Sequence, residues 1–172
     1  MRKIFITSDL HLGHSNIIKL CNRPFKNVEE MDKTIINNWN KVVGKEDLVY
    51  VIGDFCFKGQ NAEYYLNQLN GSIILIKGNH DKYIKHEKLL AVKDYQELYF
   101  NNTKYVMFHY PIISWNGMYR NSILLYGHVH TSGKPFEKVN MSNAYNVNCE
   151  YWNYTPQPIE NFTASNFSEL NG

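Results

Sequence analysis

Five short apolar runs punctuate the chain: KIFITS from Lys3, LVYVI from Leu48, SIILI from Ser72, KYVMF from Lys104 and SILLY from Ser122. Each has the length and the β-branched, aromatic or leucine content of a strand. None alternates strictly between apolar and polar residues, which predicts strands covered on both faces, by helices or by a second sheet. Between them the period changes. Val28, Met31, Ile35, Trp39 and Val42 recur at steps of three and four, the stripe of an amphipathic helix whose other face is Glu, Asp, Lys and Asn. Ala62, Tyr65, Leu66 and Leu69 predict a shorter helix that stops at Asn70 and Gly71, and another is expected over residues 83–90. Asn101 and Asn102 separate YQELYF from TKYVMF, and asparagine tolerates the positive φ of a tight turn, so an antiparallel hairpin is expected there. A further strand is expected across AYNVNCE. Early strand–helix alternation followed by β-rich sequence reads as an α/β fold.

The residues just past each run carry chemistry. KIFITS leads to Asp9, Leu10 and His11; LVYVI to Gly53 and Asp54; SIILI to Lys77, Gly78, Asn79, His80 and Asp81; KYVMF to His109; and SILLY to Gly127, His128, Val129 and His130. In sheets with mostly parallel strands, ligands collect where the carboxyl ends converge, so these donors are delivered to one rim. In an extended backbone His128 and His130 face the same side. Any one of these residues has an ordinary reading, as a hydrogen-bonded structural histidine or as a turn or helix-cap Asp or Asn. Together they read as metal ligands, because six of the seven histidines lie at or near strand ends; only His86, in YIKHEKLL, lies elsewhere, and it is assigned to solvent.

The 172 residues fit one domain spanning 1–172 with a full core. With 44% apolar and 20% charged residues the mixture is globular, apart from the polar tail TASNFSELNG, where disorder is expected. A formal charge of +2 gives no broad basic footprint, so nucleic acid is a possible partner that charge does not indicate. The apolar stretches are too short for a signal peptide or membrane span, so a soluble cytoplasmic protein with no membrane partner is expected. Cys21, Cys56 and Cys149 are odd in number and form no CxxC pair, which argues against disulfides and thiolate zinc. They read as small core residues, Cys149 being the one to check for exposure.

Imidazole nitrogens mixed with carboxylate and amide oxygens suit Mn²⁺, Fe²⁺ or Zn²⁺ rather than Ca²⁺. Seven donors exceed one four-coordinate site and suit two metals, with Asp54 a candidate bridge. Two divalent ions bring four positive charges, Asp9 and Asp54 remove two, and a bridging hydroxide leaves about +1, a pocket for an anion such as a phosphoryl group.

DLH, GD, GNHD, a lone H and GHVH, in that order over residues 9–130, resemble the motif series of the calcineurin-like metallophosphoesterases. The resemblance implies an α/β sandwich of two mixed β-sheets flanked by helices, with two divalent metal ions as cofactors (Mn²⁺, Fe²⁺, Zn²⁺ or Ni²⁺). It implies that Asp9, His11 and His130 hold one ion, that Asn79, His109 and His128 hold the other, and that Asp54 bridges them. His80 would contact the phosphoryl oxygen or protonate the leaving group, with Asp81 orienting its ring; a general acid needs that proximity and a fixed tautomer. Protein serine/threonine phosphatases extend the second motif to GDxxDRG, whereas this chain reads GDFCFKG, which argues against a phosphoprotein substrate. SDLHLGHSNII followed by CNRPF resembles a small, cap-free bacterial and phage-type branch. The expected activity is hydrolysis of a phosphoester by a metal-activated hydroxide, on a phosphorylated small molecule or nucleotide. Phosphodiesters are favoured because no cap encloses a small monoester. A phosphomonoesterase and a non-catalytic metal-binding scaffold of the same fold are the alternatives.

His14, three residues past His11, either binds substrate phosphate or caps the SNIIKLC helix. Arg23, before Pro24, either binds phosphate in bidentate fashion or forms a surface salt bridge. Trp115 in WNGMYR either packs in the core or stacks on a nucleobase at the rim. Trp152 and Tyr154 are expected to close the bottom or side of the sandwich.

Overall fold

The computed structural model describes residues 2–59, 61–82, 84–131 and 143–163. Its strands are β1 (Ile4–Thr7), β2 (Leu48–Ile52), β3 (Ser72–Ile76), β4 (Leu89–Lys93), β5 (Gln96–Phe100), β6 (Thr103–Met107), β7 (Ile123–Tyr126), β8 (Ala144–Asn146) and β9 (Gln157–Pro158). One sheet runs β4-β3-β2-β1-β9, parallel except for β9; the other runs β5-β6-β7-β8, parallel except for β5. Both sheets are therefore mixed, as the motif series implied.

The strand period sorts side chains into three apolar layers. Phe5, Val49, Val51, Ile73 and Leu75 face the helices, whereas Ile6, Tyr50, Ile52 and Ile76 face Tyr105, Met107, Ile123 and Leu125 of the second sheet. Alternate residues Val106 and Leu124 point the other way and pack on Trp115. Both faces of each sheet are thus buried, which is why the runs look uniformly apolar in sequence.

The helices are α1 (Ser15–Leu20), α2 (Val28–Val42) and α3 (Ala62–Gln68). At the start of α2 the Asn27 side chain accepts from the Glu30 amide, and Glu30 accepts from the Lys26 amide, so orphan donors of the first turn are satisfied. Met31, Ile35 and Trp39 are fully buried against the first sheet, while Val42 at the end of the stripe is exposed. The Trp39 indole donates to Asn70 O at 2.9 Å, tying α2 to the turn after α3. The α-helices pack on the first sheet; the outer face of the second is covered by Ile112, Trp115 and Met118, the last in a short 3₁₀ helix (Met118–Arg120).

The Asn101–Asn102 turn has φ of 46° and 62°, and it pairs β5 with β6 antiparallel, as expected. The helix expected over residues 83–90 does not form. Tyr83 lies outside the described residues, and Leu89 onward is β4, pairing parallel with β3. Paired apolar residues at 89–92 fit either period, and the open edge of β3 decides the matter by offering backbone hydrogen bonds. Residues 164–172, most of the tail where disorder was expected, lie outside the described residues. No helix among the described residues is long and apolar enough to cross a membrane.

Candidate metal centre

The carboxyl ends of β1, β2, β3, β6 and β7 meet at one edge, where backbone geometry bends sharply. Asp9, His11, Asp54 and His128 all have left-handed φ, between 52° and 69°, a conformation that costs energy in a non-glycine residue and clusters at functional sites. Two glycines make room. Gly53 has φ of 88°, and a Cβ there would land in the His109 ring; a Cβ on Gly127 would strike the Asp9 carboxylate and Ser8.

The floor of the site is buried. Asp9, His11, Asp54 and His109 are each no more than 2% exposed, whereas Asn79 and His128 are exposed above them and His80 and His130 are half-buried. Asp9 accepts from the Ser8 hydroxyl at 2.6 Å and from the His128 amide at 3.0 Å. Its Oδ1 stands 3.8 Å from His130 Nε2. Asp54 divides its oxygens. Oδ1 accepts from the His80 amide at 2.9 Å, and Oδ2 lies 3.5 Å from His11 Nε2 and 3.6 Å from His109 Nε2. Asn79 Oδ1 lies 3.1 Å from both His109 Nε2 and His128 Nδ1. Asp9, His11 and His130 form one group with ligand atoms within 4.8 Å of one another; Asp9, Asp54 and His109 form a second.

These donors fit divalent cations on chemical grounds. His109 Nδ1 is 2.9 Å from Ile52 O, a carbonyl that can only accept, so in the neutral ring Nε2 presents a lone pair to Asn79 Oδ1 and Asp54 Oδ2. Acceptors facing one another repel unless a cation lies between them. Both ring nitrogens of His11 are buried with no hydrogen-bond partner. Its closeness to Asp54 is not an ion pair, because burial and the Arg23 charge push its pKa far down and keep it neutral. Two donors each about 2.1 Å from one ion and roughly 95 to 130° apart lie about 3.1 to 3.8 Å from each other, the range found here.

Electrostatics alone leaves the centre unbalanced. Burial raises the Asp9 pKa to about 6, against the opposing pull of His109 and the Ser8 hydrogen bond. Burial also disfavours a charged His130, but hydrogen bonds to Cys21 and Glu150 and the Glu150 and Asp9 charges overcome it and push its pKa up to about 10. Burial lowers His14 and His128.

A sequence model described as calcineurin-like phosphoesterase matches residues 2–165. The chain belongs to that family. The chain is 39% identical over 165 residues to an uncharacterised protein of Methanocaldococcus jannaschii, a match covering 93% of this chain and 89% of the relative. It is 40% identical over 85 residues to the gene 66 protein of Mycobacterium phage L5, covering 47% of this chain and 41% of that one. A crystal structure of a protein of unknown function from Aquifex aeolicus superposes with a TM-score of 0.73 at 26% identity, covering 93% and 97% of the two chains. The family is metal-dependent, and the two groups built on Asp9 are able to hold metal.

Two expected roles are corrected by the geometry, and for His14 one of two alternatives is removed. Asp81 does not orient His80: its Oδ2 accepts from the Asp54 and Gly78 amides and its Oδ1 from the Phe55 amide, so it braces the turn that carries Asp54. The His80 ring instead neighbours those of His11 and His14, with centroids 5.4 and 6.1 Å away. Arg23 is neither a surface residue nor open to substrate. It is 4% exposed, donates to Leu10 O and Asp9 O from behind the site and pairs with Glu150. His14 makes no side-chain cap to α1; it is 8% exposed, stacks on Phe57 at 4.2 Å and leaves a buried Nδ1 without a partner.

Trp115 packs in the core, its indole donating to Ser122. Trp152 edges onto Phe162 beside the inter-sheet layer, and Tyr154 packs on Phe25. His86 sits in a loop outside the centre, half-buried, with Nε2 3.2 Å from Asn67 Oδ1. All three cysteines are free and buried, Cys149 included. Sequence reasoning missed Glu150 and Ser8. The signal for Glu150 was present, since AYNVNCE was read as a strand and its final residue repeats the pattern of a donor placed after an apolar run.

Proposed function

We propose that this protein hydrolyses phosphodiesters with two divalent cations held among Asp9, His11, Asp54, Asn79, His109, His128 and His130. One observation carries the reading: a single oxygen, Asp54 Oδ2, stands 3.5 Å from His11 Nε2 and 3.6 Å from His109 Nε2, a position that would let this carboxylate serve an ion on either side. Ions in such a pair polarise phosphoryl oxygens and make water nucleophilic at neutral pH. Asp9, His11 and His130 hold one; Asn79, His109 and His128 hold the other.

The chain's own groups do the rest. His80 contacts a phosphoryl oxygen and protonates the leaving oxygen, a role supported by its amide tether to Asp54 and its half-buried position beside the centre. His14, packed flat on Phe57, is a phosphate contact beside it. Asp81 holds the Asp54 turn rigid through three amides. The exposure of Asn79 and His128 supports an open rim that admits a diester, whether a phosphorylated small molecule or a nucleotide. Three free buried thiols suit the reducing cytoplasm.

The test is a panel of bis-p-nitrophenyl phosphate and p-nitrophenyl phosphate with Mn²⁺, Fe²⁺, Zn²⁺ and Ni²⁺. Diester turnover should exceed monoester turnover, and Asp54→Asn should abolish it in a folded protein. Faster monoester turnover would make the protein a phosphomonoesterase; no hydrolysis with any metal would make it a scaffold.

A further inference from the structure

We propose that Glu150 is a positioning residue of this centre, setting the tautomer and direction of His130 so that one of the two cation positions depends on it; this rests on the two-ion reading. Glu150 Oε1 lies 2.7 Å from His130 Nδ1. A carboxylate at neutral pH only accepts, so Nδ1 carries the hydrogen and, in the neutral ring that a cation would need, Nε2 on the Asp9 side is the nitrogen left for the ion. Asn148 Nδ2, 3.2 Å from the same Nδ1, is itself a donor and cannot compete for that role.

The carboxylate is built in. Its side chain is 3% exposed, and Oε2 accepts from both the amide and the hydroxyl of Thr131 at 3.0 Å, which fixes the residue after His130. Oε1 also accepts from Arg23 Nε at 2.9 Å, and the fully buried guanidinium reaches on to Asp9 O at 2.7 Å and Leu10 O at 2.9 Å. One ion pair therefore ties the Asp9 turn to the His130 segment, 121 residues apart in sequence by subtraction of their numbers. Both segments supply the same cation. Cys21, His130 and Glu150 also bring ligand atoms within 4.8 Å of one another, but the guanidinium beside Oε1 repels a cation there, so this cluster is support for the centre rather than a second one.

A salt bridge that served the fold alone would leave the cation affinity untouched, and the experiment separates the two roles. Metal-free full-length protein is titrated with Mn²⁺ by calorimetry, with bound metal measured by elemental assay, for wild type, Glu150→Gln and Glu150→Asp. Glutamine keeps the volume and loses the charged acceptor; aspartate keeps the charge and retreats by one methylene. The expected result is two ions on wild type, and on Glu150→Gln about ten- to hundredfold weaker binding of one ion with the other unchanged. Glu150→Asp should fall between them, and it carries the test if Glu150→Gln does not fold. Raising Mn²⁺ should restore kcat of the folded variant without altering KM for the diester. Wild-type uptake of two ions with unchanged isotherms for the folded variants would overturn this proposal alone. Wild-type uptake of fewer than two would overturn the two-ion reading and this proposal with it.

Discussion

Asp9 is a fully buried carboxyl, and in the metal-free fold it is a liability. Its pKa is raised from 3.8 to about 6 by burial, so the metal-free fold binds a proton at Asp9 that the unfolded chain has already lost. A raised carboxyl pKa contributes stability below about pH 3.8 that disappears as pH climbs through 6. At 1.36 kcal/mol per unit the loss is about 3 kcal/mol, an order-of-magnitude figure. Asp9→Asn removes this titration while keeping an acceptor for the Ser8 hydroxyl and His128 amide. Part of the gain is returned because His130, 3.8 Å away, loses a charged neighbour. His11, His14 and His128, whose lowered pKa values pull stability the opposite way below pH 6.5, are common to both proteins and largely cancel in the difference. Urea unfolding of both proteins in chelator at pH 4 and pH 7.5 measures that difference. The stability of Asp9→Asn relative to wild type should rise by about 2 to 3 kcal/mol between the two pH values. Adding Mn²⁺ at pH 7.5 should then stabilise wild type far more than the variant. A difference between the proteins that does not change with pH, or equal stabilisation of both by Mn²⁺, would refute the reasoning.

Gly127→Ala should lose Mn²⁺ binding in a titration while remaining folded, because its Cβ displaces the Asp9 carboxylate; far-ultraviolet circular dichroism checks the fold. Asp81→Asn leaves at least one of the Gly78, Asp54 and Phe55 amides without an acceptor, so it should cost about 1 to 3 kcal/mol in urea unfolding and weaken metal binding through the Asp54 turn. Burial pushes the Cys56 and Cys149 thiols up to about 12, so neither should react with a disulfide reagent at pH 8 until denaturant is added, when all three cysteines should.

Local chemistry made much of this molecule legible in its sequence. The strand runs, the α2 stripe and the Asn101–Asn102 turn are written in spacing over fewer than about 20 residues, the range over which backbone period and turn preference act. The residues brought to the rim were legible because each comes just after a strand, and strands that run parallel place their ends together. Whatever the chain alone left open is set by partners far away in sequence. Whether residues 89–92 become helix or strand depends on the unpaired edge of β3. Arg23 is a surface cation or phosphate ligand in one-dimensional reading, and only the fold sets it behind Asp9 against Glu150, 127 positions on. Asp81, next to His80 in sequence, turns to three backbone amides instead, because an unsatisfied buried N–H costs more than an unmade contact to a half-buried ring. Sequence determines which donor groups the chain carries; tertiary structure decides which of them converge at the rim and which hold the others still, since buried charges and amides must find partners wherever folding places them.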